Sequence, residues 1–210
     1  TGVTTASSTV SNMYIVFHAS DGRIGRIAAD GSGGIDIQNA FTGGHPTVIP
    51  ADAVGELGMI VESTGNIWAK SSISKGVSTG IPKVQLTTSS ESKKVYGVVS
   101  ETYTGENEEY GYAGYVRNWG VAENEAHIKV NSLGEGLVWI TNKNGEIQNG
   151  DFICSTDIPG YGGKQSDDLL HNYTVAKCVE TIDWNSISDT IDHNDVTYKK
   201  YLVACTYHCG

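Results

Sequence analysis

A chain of 210 residues can bury a real core without disulfide staples, as one domain or two small ones. Its net charge of −10, with 14 Lys and Arg against 24 Asp and Glu, offers no basic stripe, so a nucleic-acid partner is disfavoured. No apolar run approaches the roughly 20 residues that a helix needs to cross a bilayer.

Glycine is abundant (26 residues), proline scarce (4), and no window keeps a helical period. Short β-prone runs recur between turn signals, which predicts an all-β protein. The expected architecture is an extended N-terminal arm (residues 1–12), a β-hairpin segment (13–42) and a compact multi-stranded β-sandwich or barrel-like domain with long loops (43–210).

The arm has no charged residue and is mostly Thr, Ser and Val, with Val3, Thr5 and Val10 as its strand-forming positions. That composition suits a strand but supplies too little apolar surface to fold alone. It must lie along its own domain or add a strand to a neighbouring copy. Residues 13–18 and 23–28 read as a hairpin turning at Ser20-Asp21-Gly22, followed by a short strand at 35–38. Gly43-Gly44-His45-Pro46 marks the join to the main domain.

Within that domain, 57–61 and 66–70 read as strands paired across Ser63-Thr64-Gly65, and 83–87 and 95–101 as two more. Residues 102–115 form a loop rich in tyrosine and glutamate. Tyr103, Tyr110 and Tyr112 are candidates for surface recognition of a cell-surface glycan, although such rings more often pack on their own domain. Glu106, Glu108 and Glu109 lack the spacing of a calcium loop. Strands at 117–121, 126–130 and 137–140 follow. Asn144-Gly145 and Asn149-Gly150 have the φ > 0 tolerance of tight hairpin turns, so strand reversals are expected at both. The run 151–155 leads into 158–163, too rich in Gly and Pro for a strand, and 174–179 and 201–209 complete the set. Asp192-His193-Asn194-Asp195 reads as a turn.

The residues give no set of reacting groups. Gly-x-Ser-x-Gly, a Walker loop and His-Glu-x-x-His are all absent, and the six histidines lack metal spacing, so neither catalytic residue, cofactor nor metal is expected. His171 near Asp167 suggests a surface contact rather than an acid/base pair. Trp68 and Trp139 lie in apolar strands and read as core, although a tryptophan can also stack on sugars. Cys154, Cys178, Cys205 and Cys209 are disulfide candidates with three possible pairings. In an extended strand Cys205 and Cys209 face the same way about 13 Å apart, beyond bridging reach, so each would look to Cys178 or Cys154. Asn172-Tyr173-Thr174 is a glycosylation sequon, with Asn172 the acceptor if the chain passes through a secretory pathway.

Asn144-Gly145-Glu146-Ile147-Gln148-Asn149-Gly150-Asp151, Pro159-Gly160-Tyr161-Gly162, the runs LLHNYTVAK at 169–177 and KVYGVVS at 94–100, and the ending Tyr207-His208-Cys209-Gly210 carry a resemblance. Over about residues 40–210 the chain resembles the C-terminal domain of viral fibre-type structural proteins, those of phage tail fibres, tail spikes and neck appendages and of large DNA viruses. The run 14–25 is similar to the hairpin that often precedes such domains. The resemblance implies a homo-oligomeric structural protein, extracellular or on a virion surface, that assembles into a fibre or filament with itself as partner. Some relatives are intramolecular chaperones that trimerise a fibre and then cut themselves off with an Asp and a Glu in a Gly-Ala/Ser-Asp-Tyr-Ala-Glu element. The matching stretch here is Thr42-Gly43-Gly44-His45-Pro46-Thr47, which has neither carboxylate. A paired-carboxylate mechanism therefore has no groups to run on at this point. A self-cleaving trimerisation domain and a glycan-binding fibre tip remain the alternatives.

Overall fold

The computed structural model describes residues 13–19, 22–29, 35–38, 43–68, 81–102 and 122–209. These residues are all-β, and the one helical turn among them is a 3-10 turn at Ala51–Ala53. The chain divides into two units, the second beginning at Gly43. In the first, β1 (Met13–Ala19), β2 (Gly22–Ala29) and β3 (Ile35–Gln38) form an antiparallel sheet in that order.

The second unit contains two sets of strands. β4 (Gly44–Pro50), β5 (Ile60–Trp68), β6 (Ile81–Leu86), β7 (Val95–Thr102) and β8 (Glu125–Asn131) close into a barrel in the order β4-β6-β5-β7-β8. Alternation places one face of each strand inside. On β8, Ile128 and Val130 point into a core with Ile49, Val61, Val84 and Val99, while Lys129 faces out and pairs with Glu101 at 2.7 Å. Full burial of each such side chain contributes roughly 1.5–3 kcal/mol.

β9 (Leu133–Thr141), β10 (Phe152–Ser155), β11 (Gly162–Lys164), β12 (Thr174–Cys178), β13 (Thr190–His193) and β14 (Val196–His208) make the second sheet. Its order is β12-β10-β11-β9-β14-β13, and β12 also pairs with β14. Five of the six strands thus form a ring of their own, with β13 attached to the outer end of β14. The long ladder runs from Lys200 opposite Thr141 to His208 opposite Leu133. Inside sit Val138, Ile140, Ile153, Val175, Val203, Cys205 and Tyr207, plugged by Trp184 and Ile147.

The two rings share a core and a seam. Ile60 of β5 and Val98 of β7 belong to the apolar cluster of the second ring. Gly58 bridges them, its N–H donating to Val99 O at 2.8 Å and its carbonyl accepting from Trp139 N at 2.9 Å. The Ile60 and Gly160 amides donate to Gly160 O and Thr87 O.

Several expectations are corrected. The described residues 57–68 hold no hairpin: β5 is one strand along β6, taking four steps from Ser63 to Ile67 while β6 takes two from Val84 to Pro82. Gly65, at φ +82°, supplies a bulge there instead of a reversal, braced by Thr64 Oγ1 on Lys83 O at 2.9 Å. Gly145 and Gly150 do take positive φ (+108° and +97°), yet both sit in one long connection, and β9 and β10 do not pair across it. Gly162 and Gly163, expected in a loop, are strand residues of β11, where an added Cβ would meet Ile153 and Thr156 at 2.7 Å. The turn expected within Asp192–Asp195 is present, as a two-residue hairpin at Asn194-Asp195 with φ values of +52° and +63° and His193 opposite Val196.

Candidate functional site

The candidate positions of the arm, Val3, Thr5 and Val10, and of the tyrosine loop, Tyr103, Tyr110 and Tyr112, lie outside the described residues. The four cysteines are all buried on the second ring as free thiols. Cys178 stands opposite Cys205 across β12 and β14, as the strand pattern requires of neighbours, but the two are not joined. Burial raises every one of these thiols above its usual pKa, Cys154, Cys205 and Cys209 to about 12. A thiol held protonated in a dry core is a packing group and a poor nucleophile.

His171 and Asp167 do meet, the ring Nε2 lying 3.0 Å from both carboxylate oxygens. Asp167 also accepts from the Leu169 amide and from Gln165 Nε2, each at 3.0 Å, and Gln165 Oε1 accepts from the Thr174 hydroxyl at 2.7 Å. The backbone N–H of Leu169 and then His171 hold Asp167 below the ordinary carboxylate range. The cluster is a loop brace, and it holds up two exposed leucines, Leu169 and Leu170. Asn172 of the sequon is exposed on the same loop, while Thr174 is buried. His45, Pro46 and Thr47, in the stretch that matches the self-cleaving element, are paired residues of β4 in the barrel wall.

Glu62 carries no signal in the sequence, since it alternates with apolar neighbours on β5 as an outward residue would. Its side chain is nonetheless only 2% exposed. It accepts from Ser92 Oγ at 2.5 Å and from Lys94 Nζ and Gln85 Nε2 at 2.9 Å. The Ser92 amide in turn donates to Ser155 Oγ of β10, so the carboxylate helps to bind the two rings together. Burial pushes its pKa up, and the three hydrogen bonds outweigh burial and hold it below its usual value.

Neither tryptophan expected in the core lies there. Trp68 is half-buried, edge-on to His127 with centroids 6.3 Å apart. Trp139 is also half-buried, because on β9 the inward positions are Val138 and Ile140. It lines a cleft of about 350 Å³ with Ser186, Ser188, Asp189, Lys200 and Leu202. The Lys200 ammonium lies 5.2 Å from the indole centroid. Alternation could have placed Trp139 beside Leu137, which is 47% exposed, but an apolar strand hides which of its faces is wet.

Among the described residues no cluster of His, Cys, Asp or Glu is arranged to hold a metal ion, and no helix is long and apolar enough to cross a membrane. In comparisons with protein-family models, with curated proteins and with solved structures, nothing matches this chain.

Proposed function

We propose that the chain is a non-enzymatic structural protein, the protomer of a fibre or filament, extracellular or on a virion surface, which assembles by strand addition through residues 1–12. The observation that carries this reading is strand closure. In the second unit every described strand except β13 has a neighbour on both sides. Closed rings do not pair edge to edge, so strand addition between copies of such a module calls for a strand outside the rings. An uncharged Thr/Val arm is such an element, and the fibre-type resemblance of residues 40–210 points the same way. If each arm docks on the next copy in one direction, the contact is heterologous and propagates as a filament.

Removing residues 1–12 is expected to leave a folded protein, judged by an unchanged far-ultraviolet circular dichroism spectrum, that no longer polymerises. Electron microscopy and sedimentation of the full and shortened chains check this. Filaments of normal length from the shortened chain would reject the arm's role.

A further inference from the structure

We propose that the cleft beside Trp139 is a carbohydrate-binding site, in which one pyranose ring stacks on the indole and its hydroxyls bond to Asp189, Ser188 and Lys200. This does not depend on how the chain assembles. The floor of the cleft is a fixed aromatic plate. Trp139 Nε1 donates to Leu57 O at 3.0 Å, which sets the ring's orientation and leaves its face, not its N–H, for a ligand. Gly58, at φ +92°, allows the close approach behind it, since a Cβ there would lie 3.1 Å from Trp139 Cδ1 and 2.8 Å from Leu202 Cδ1.

The rim is equally fixed. Trp184, 2% exposed, anchors the 183–189 loop by donating to Ile147 O at 2.9 Å. The Ser186 amide closes the turn onto Asp183 O at 3.0 Å, and the Lys200 amide ties the loop's end to Asp189 O at 2.9 Å. Plate and loop are thus pre-formed, and binding has only to swing the Lys200 side chain off the indole face.

The lining selects the ligand class. The side chains of Ser188 and Asp189 have no hydrogen-bond partner among the described residues and are exposed. A carboxylate accepts from hydroxyls and an ammonium donates to them, and a serine does both, so the rim matches a neutral ligand carrying many hydroxyls. A purely apolar ligand would leave these groups unpaired, and an anion would meet Asp189 on a chain of net charge −10. The C–H face of a pyranose supplies the apolar side that the indole needs, in the place where the Lys200 ammonium now rests. A volume of about 350 Å³ is near the small end of the roughly 300–1,000 Å³ usual for ligand pockets, which suits one ring better than a long chain.

The test titrates the full chain with methyl glycosides of glucose, galactose, mannose, N-acetylglucosamine and N-acetylgalactosamine, with choline as a cationic control. Binding is read by saturation-transfer NMR and tryptophan fluorescence. At least one glycoside should bind and receive saturation at its axial C–H protons. Asp189→Asn should weaken that glycoside by about tenfold or more, and Ser188→Tyr, which fills the cleft, should abolish binding. Both substitutions are at exposed positions, and an unchanged melting temperature shows that each variant is folded. Three results would overturn the proposal: no glycoside binds, a glycoside binds equally well to both variants, or choline alone binds.

Discussion

At the scale of single residues, Glu62 decides more than its neighbours on β5, because a buried carboxylate is tolerable only when its lone pairs are spent. Ser92, Lys94 and Gln85 spend them, and Ser92 carries the link on to Ser155 of β10. Lys94 is 54% exposed, so solvent screens that ion pair, and the three hydrogen bonds to a charged acceptor carry most of the effect. Glu62→Gln is expected to cost about 1–3 kcal/mol at pH 7, measured as a drop in the urea midpoint. The pH dependence has a definite sign. The folded pKa is depressed, so the stabilisation is complete above the unfolded value of about 4.3 and is lost as pH falls through the lower folded value. Wild type and variant should therefore converge in stability as the pH is lowered through that window. Equal midpoints at pH 7 would show that the carboxylate contributes nothing.

The β13–β14 hairpin is the clearest case among the elements. Asn194 and Asp195 both have positive φ, the geometry of a two-residue type I′ turn, whose twist matches that of the strands it joins. Asparagine tolerates that region and valine does not, so Asn194→Val should cost about 1–2 kcal/mol locally. Asp195→Gly should be neutral or slightly favourable, strain relief being offset by the freer unfolded chain. Because β13 hangs on β14 alone, the effect is best read as hydrogen-exchange protection of Thr190–His193. Unchanged protection in Asn194→Val would contradict the turn assignment. The same hairpin marks what could be read from the sequence. Runs of β-branched residues located the strands to within a few positions, as with 95–101 for Val95–Thr102 and 126–130 for Glu125–Asn131. Turn chemistry misled where it was strongest. Asn144-Gly145 and Asn149-Gly150 specify local φ, but which strands pair is decided by the distant partners that β9 finds in β14 and Gly58. The cleft was hidden for a related reason: whether Trp139 faces core or solvent is settled by what packs on the other side of β9, and no local pattern carries that.

For the whole second unit, the question is whether the two rings fold as one body. Ile60 and Val98 stand in the first ring's wall and in the second ring's core, and the Gly58, Gly160 and Glu62 bonds cross the same seam. A seam made of buried apolar contacts and satisfied buried polar groups couples the stabilities of what it joins. All four cysteines are in the second ring, and Val61 lies in the first ring's own cluster. Buried and protonated, the thiols react with an aromatic disulfide reagent only when their ring opens, so they report its opening directly. Val61→Ala removes apolar volume from the first ring alone, worth about 2 kcal/mol with the cavity it leaves. If the rings share one transition, that substitution lowers the urea concentration at which all four thiols become reactive, and by the same amount as it lowers the midpoint seen by circular dichroism. A thiol midpoint that stays in place while the circular dichroism curve splits into two steps would mean that the rings unfold separately.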